Sequence, residues 1–461
     1  MVTLTRIQGR FCCVCSINCS ETDAWLGSLS WCFSLGKASV EMTPLPHESS
    51  PLNTEKSLTL DPQSPEFAAD PYAFYQALRE HEVPVYSESV GAWLLARFDD
   101  VESVARDHTF VRSFDPWMSA DDLLESQRRA NWHDMPNHEQ FVQKSMLETD
   151  GDSHFKLRLI ILREFSRRFV ERQRSMIEGF VDQLLDRLLE VKEFDFVSEL
   201  AEHVPGHIIG RALGVPDEDC PRLQQWSEDV VQYFDIDRTP ERKALAERAT
   251  TQCYEYLKQI ISDREKRPQG DLISAMVKAR DQGELDEREL VSACMLLLMA
   301  GHGSTIDVLG SGLHLMLRFP EEMKKLRQQP GLIDTTVQEM FRYESPLPFF
   351  HRFASEDVLI AGQNFPAGTK FGLLYGSANR DSDAFYKADV FDVTREPNRH
   401  VAFGRGAHLC LGNHLSRLDM GVIFLKLMDR TQSIELLEKP VYKPGLTARG
   451  PQSLCVRIVP R

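Results

Sequence analysis

The chain has 461 residues, 42% hydrophobic and 26% charged, the balance of an ordinary folded protein rather than a disordered or fibrous one. Its 69 acidic residues outnumber 53 basic ones, giving a net charge of -16, which argues against a uniform nucleic-acid surface because phosphate binding needs clustered positive charge. No apolar run reaches the ~20 residues of a membrane span, and length alone allows two or three domains.

Residues 1–60 are expected to be poorly ordered. Five of the 10 cysteines crowd the first 32 residues: Cys12, Cys13, Cys15, Cys19 and Cys32. Cys12 and Cys15 have metal-ligand spacing, but a second such pair or zinc-spaced histidines are missing. The segment lacks the sustained apolar core of a signal peptide. Met42 opens a Pro/Ser-rich stretch and is the expected true start, which N-terminal sequencing of native protein tests. The cysteines Cys220, Cys253, Cys294 and Cys455 have no framework spacing, so a reducing cytoplasm is the expected compartment.

Further along, Pro71 to Glu82 reads as a helix, with apolar positions at Phe74, Ala77 and Leu78. Val83 to Tyr86 and Ala92 to Arg97 read as a strand pair around Gly91. Asp99 is the expected N-cap of a helix toward Arg106. Residues 112–150 read as a long irregular loop dotted with Phe114, Trp117, Met118, Trp132, Met135, Phe141 and Met146, a pattern that is either functional or a surface loop with apolar anchors. Ser153 to Leu290 is mostly helical, with breaks at prolines. Leu290 to Phe319 is expected to be one uninterrupted helix of ~45 Å, and its most apolar part, Cys294 to Ala300, a buried core segment. Glu321 to Tyr343 is helical, followed by short strands near 358–375. The chain is therefore expected to be mainly α with a minor β part (α+β), with residues 61–461 forming a single domain.

The segment Phe403-Gly-Arg-Gly-Ala-His-Leu-Cys410-Leu-Gly412 sets one cysteine among three glycines before an apolar-periodic stretch. Glycines admit close backbone approach and unusual turns. A helix that follows would aim free N–H groups at the sulfur and favour thiolate. A lone thiolate so presented suits haem iron, whereas the plainer reading of Cys410 alone is a buried structural cysteine.

The ten-residue pattern resembles the haem-binding loop of the cytochrome P-450 family, Phe-Gly-x-Gly-x-His-x-Cys-x-Gly, at every fixed position, and the resemblance extends over roughly residues 65–455. It implies that Cys410 is the axial ligand of haem b (iron protoporphyrin IX), that Phe403 and Gly404 shape the loop, and that His408 reaches a haem propionate. His154 and Arg158 match the family's His-x-x-x-Arg helix, and Arg352 matches a strand arginine; both imply further propionate contacts. Glu339-x-x-Arg342 matches the family's Glu-x-x-Arg helix, and Arg395 completes its buried ion network. Ala300-Gly301-His302-Gly303-Ser304-Thr305 matches the oxygen-binding stretch, implying catalytic roles for Gly301, Ser304 and Thr305. Gly303 stands where the family carries an acid, and Ser304 where it carries threonine. Asp307, three residues on, is a candidate to reach back, and His302 is a packing residue or a proton relay.

The resemblance implies a haem-thiolate monooxygenase acting with O2 on a hydrophobic small molecule, a terpenoid being one guess. The chain has no nucleotide-binding fingerprint of its own, so electrons are expected from a separate ferredoxin and its reductase. Arg163, Arg167, Arg168, Arg405 and Arg417 are the candidate docking patch. The protein is expected to be a cytoplasmic monomer with no nucleic-acid partner and no membrane span. Alternatives are a peroxide-using or rearranging haem-thiolate enzyme and a non-catalytic haem carrier or sensor.

Overall fold

A computed structural model describes residues 60–235 and 237–461. The expectations for the N-terminal cysteines and for a start at Met42 lie outside the described residues. The described chain is mainly helical, with a minor β part. The largest sheet has five strands in the order Val85–Ser87, Ala92–Leu95, Lys370–Leu374, Phe349–Ala354 and Phe110–Val111. Ala92–Leu95 runs parallel to Lys370–Leu374, and the remaining pairs are antiparallel. The main apolar core lies among the helices and includes Ile177, Leu185, Leu297, Leu309 and Phe424.

Three expectations need correction. Asp99 does not cap the Phe98–Arg106 helix; the cap position is Arg97, which makes no side-chain cap bond. The Phe98 amide instead donates to Asp381 Oδ2 at 2.8 Å, so the cap comes from across the fold, where no local pattern announces it.

Residues 112–150 are not a bare loop. They contain the helix Ala120–Arg129, whose N-cap Ser119 accepts from the Asp122 amide. Asp121 and Asp122 in its first turn and Arg128 and Arg129 in its last complement the helix dipole. The scattered apolar groups divide: Trp132 and Met135 bury against Tyr233 and Ala246, Phe141 and Met146 join the main core, and Trp117 stays 51% exposed.

The stretch expected as one helix is two, Glu287–Ala300 and Gly303–Arg318. The first opens with a capping box of Asp286 and Glu289, a strong local start signal. Together they are long and apolar enough to cross a membrane by length and composition, yet 78% of the most apolar window is buried inside the protein. The break falls at Gly301–His302, where His302 takes φ -110° and ψ -82°. Its ring is buried against Gly206, where a Cβ would stand 2.6 Å from His302 Cε1. Apolar periodicity continues through the break, so only the burial of a polar ring against a distant glycine marks it.

Candidate functional site

The cysteine loop closes on itself before the helix Asn413–Arg430. The Cys410 amide donates to Phe403 O at 2.9 Å and the Gly404 amide to Val401 O at 2.8 Å. Gly404 and Gly406 both sit at φ +68°, a region L side chains avoid. At Gly406 a Cβ would also lie 2.5 Å from Ala105 O, so only glycine lets the loop lie against the Phe98–Arg106 helix. Phe403 is buried between Phe341 at 4.4 Å and the Arg417 guanidinium at 4.4 Å.

Cys410 is exposed, whereas Cys220, Cys253 and Cys294 are buried and Cys455 is half-buried. That separates it from an inert core cysteine. The backbone amides of Gly412 and Asn413 act on its sulfur and favour the thiolate, as expected of a following helix terminus. The expectation of a spontaneously favoured thiolate is corrected: surrounding protein desolvates the sulfur and raises its pKa, and the amides, Arg158 and Arg417 offset this only partly. An accessible yet desolvated sulfur occupies a recess, the setting in which a bound cation holds a thiol deprotonated.

The histidines and arginines read from separate segments converge beside this loop. His154 stacks on His408 with ring centroids 4.2 Å apart. His408 Nε2 lies 2.9 Å from Asp150 Oδ1. Burial first, then the neighbouring His408 and Arg158, push the His154 pKa down to about 4. Burial also lowers that of His408, although Asp150 opposes it. Arg158 donates to Leu409 O. Arg352 is 3% exposed and donates to its neighbour's carbonyl, His351 O, at 2.9 Å. Sequence reasoning missed two members. Arg112 donates to Leu147 O, to His351 O and to Glu148, and its amide donates to Asp150 Oδ2 at 2.7 Å. The one sequence signal for Arg112 is a lone charge between Val111 and Phe114; Asp150 has none beyond preceding a helix. The donor set suits an iron porphyrin: one accessible sulfur, with arginines and histidines grouped where two carboxylates would need partners.

At the helix break Gly301, Gly303 and Ser304 are half-buried and Thr305 is buried. A Cβ on Gly303 would meet nothing within 4 Å, whereas one on Gly301 would meet Leu297 O at 2.9 Å and Ile209 at 3.0 Å. Thr305 Oγ1 lies 3.4 Å from Ser416 Oγ, which ties it to the helix behind the cysteine. Asp307 does not reach back toward Ser304. It is 2% exposed and ion-paired with Lys443 at 2.7 Å. His302 is a packing residue, its Nε2 without a hydrogen-bond partner among the described residues and its pKa pushed to about 4, chiefly by burial.

The network beneath the loop is complete. Arg342 and Glu339 are both fully buried and joined by two bonds, Nε–Oε2 at 2.7 Å and Nη2–Oε1 at 2.8 Å. Glu339 also accepts from Arg395 Nε, the Asp392 amide and Asn398 Nδ2. The basic patch is thinner than expected. Arg163 pairs with Glu284, Arg405 donates to Arg399 O and His400 O, and Arg417 donates to Asn413 Oδ1. Arg167 and Arg168 remain exposed.

The family model for cytochrome P-450 matches residues 121–435. The chain is 35% identical to the biotin biosynthesis cytochrome P-450 of Bacillus subtilis over 81% of its own length and 92% of that protein. It is 34% identical to the mycinamicin IV hydroxylase/epoxidase of Micromonospora griseorubida, over 81% and 90%. A crystal structure of the BioI cytochrome P-450 in complex with hexadec-9Z-enoic acid ligated acyl carrier protein superposes with a TM-score of 0.79 at 32% identity, covering 85% of this chain and 99% of that one.

Proposed function

The chain belongs to the cytochrome P-450 family of oxidoreductases, and on that premise we propose that it is a haem-thiolate monooxygenase of hydrophobic small molecules, with residues 61–461 as its catalytic domain. Haem b, when bound, supplies dioxygen reduction and oxygen insertion. Cys410 holds the iron; His154, Arg158, Arg352 and His408 hold the propionates, with Asp150 orienting His408. Glu339, Arg342 and Arg395 fix the support of the loop. The observation that carries this reading is the accessible Cys410 sulfur with the Gly412 and Asn413 amides aimed at it. The test is the strongly red-shifted carbon monoxide band of the reduced protein. The parent is expected to give it and Cys410→Ser to lose it; a band that survives the substitution overturns the assignment.

Proton supply follows this chain's own residues. With Gly303 in the acid's place and Asp307 committed to Lys443, Ser304 is the hydroxyl positioned for relay, fed by water in the open space beside Gly303. Thr305, turned to Ser416, helps hold the helix in place. Gly301 admits the close approach of Leu297 and Ile209. The missing acid favours one second reading, a peroxide-driven or rearranging enzyme that needs no relayed protons. Turnover with ferredoxin and reductase, set against turnover with peroxide alone, separates the two.

The substrate reading follows the relatives. One is named as a hydroxylase/epoxidase of mycinamicin IV, and another was solved in complex with hexadec-9Z-enoic acid ligated acyl carrier protein. Both support a large apolar substrate, and neither specifically supports a terpenoid. Electrons come from a ferredoxin and its reductase, docking at Arg167 and Arg168. The protein is read as a cytoplasmic monomer.

A further inference from the structure

The turn that joins helix His203–Leu213 to helix Cys220–Val231 gathers an imidazole, a carboxylate and a thiol. Gly214, at φ +88°, closes the first helix, and the short turn Asp217–Asp219 opens directly into the second. The return brings Cys220 back against Gly210, where a Cβ would stand 2.7 Å from the sulfur. One ligand atom each from His207, Asp217 and Cys220 lies within 4.8 Å of the other two. His207 and Cys220 are buried, and Asp217 opens to solvent.

His207 Nδ1 faces Asp217 Oδ1 at 3.6 Å, too far for a hydrogen bond. Two ligands of one tetrahedral zinc stand roughly 3.3 Å apart when each metal bond is about 2.0–2.1 Å. The His207 Nε2 is enclosed with no partner among the described residues. Phe180 stacks flat on the ring, with centroids 4.0 Å apart and planes 8° from parallel. A buried imidazole is thus held in place without a hydrogen bond, which is costly unless another partner meets it. Burial also lowers its pKa against the pull of Asp217, so the ring is neutral, the form that binds metal.

The other two groups are prepared in different ways. The Cys220 thiol has one weak contact, Pro216 O at 3.7 Å. Burial, then Asp217, push it up to about 11, a trend that a bound cation reverses. Arg211 spans the Asp217 carboxylate, Nε donating to Oδ1 at 2.8 Å and Nη2 to Oδ2. This keeps Asp217 charged and fixes its orientation, while each oxygen retains a lone pair. Asp219 is committed elsewhere, to Arg222 and the Tyr256 hydroxyl.

We propose that the His207 imidazole, the Asp217 carboxylate and the Cys220 thiolate form a zinc site that clasps the two helices, with water as fourth ligand on the exposed Asp217 side. The thiol proton passes to solvent as the metal binds. One sulfur, one nitrogen and one oxygen suit zinc, whereas magnesium and calcium want oxygen alone. Gly206, beside His207 in sequence, is the residue that packs against His302, so the clasp steadies the helix that lies against the Gly301–His302 break. The three ligands take no part in holding haem, so zinc and haem occupancy are measured separately.

The test uses the full-length, haem-loaded protein, reduced and stripped of loose metal. Zinc chloride is titrated against a competing chromophoric chelator, and the unfolding temperature is read with and without zinc. The parent is expected to bind one tight equivalent that raises its unfolding temperature. His207→Gln and Cys220→Ser each weaken that equivalent by about 100-fold and abolish the rise, and Asp217→Asn weakens it by about tenfold. The double variant Cys12→Ser, Cys15→Ser retains it. Zinc binding unchanged in both His207→Gln and Cys220→Ser overturns the site, as does loss of the equivalent only in the Cys12, Cys15 double variant. Magnesium binding as tight as zinc overturns the thiolate's part. The carbon monoxide band reports folding of each variant. Should a buried variant fail to load haem, Asp217→Asn at the exposed ligand decides, and unchanged zinc affinity there overturns the site.

Discussion

The two sides of the site are built in opposite ways. Behind the cysteine the Glu339 carboxylate is tied from several elements at once: it collects bonds from Arg342, Arg395, Asn398 and the Asp392 amide, and Gly406 lies against Ala105 O. On the opposite side the helix is broken at Gly301–His302, and Gly303 borders open space. The ligand side, that of Cys410, is therefore over-determined and intolerant, and the side of the helix break has room to vary in chemistry without loss of fold.

Substitutions should reveal that contrast in order of size. Glu339→Ala strands the buried Arg342 guanidinium and removes a partner of the half-buried Arg395, and is expected to cost ~3–5 kcal/mol, leaving little haem-loaded protein; a fully loaded, equally stable variant would break the contrast. Gly406→Ala meets a backbone oxygen at 2.5 Å and a positive φ and is expected to lose ~2 kcal/mol or more in denaturant titration. Gly303→Asp, on the other side, meets nothing and starts a helix where an acid suits the dipole. Its stability should change by less than ~0.5 kcal/mol, while the share of electrons recovered as product rises. Unchanged coupling would show that proton supply was not limiting at Gly303.

A pH test sharpens the comparison at His302. Its folded pKa of about 4 lies below the ordinary 6.5. Above pH 6.5 both folded and unfolded states are neutral and its contribution is flat. As pH falls through 6.5 the unfolded chain protonates first, so stability drops until the folded ring also protonates near 4. Between pH 7 and 5 this one ring should contribute a loss on the order of 2 kcal/mol. His302→Gln should remove that slope in paired denaturant titrations. Asp307 and Asp419, raised by burial, run the other way in parent and variant alike, and cancel in the difference. The smallest effect belongs to the surface: Arg168→Glu should slow ferredoxin-driven turnover a few-fold at low salt and less at high salt, with the carbon monoxide band unchanged.

Much of the ligand side was legible because its chemistry is local. The loop, the Glu339–Arg342 spacing and the His154–Arg158 spacing each lie within one turn or one segment. What escaped acts across the fold. Asp381 caps a helix 283 residues away, and Asp150 holds a histidine 258 residues away. The helix break is hidden because apolar periodicity runs straight through it. The Ser119 cap and the acidic first turn of Ala120–Arg129 were readable, yet the polar, irregular appearance of that region masked them.

The Glu339 junction also imposes an order of assembly. Its carboxylate waits for Asn398, 59 residues downstream, and the cysteine loop lies beyond that again. A ribosome-bound chain stopped at residue 390 would lack Arg395, Asn398 and the cysteine loop, and so any means of retaining pigment. Colour, in this protein, is a late product of synthesis.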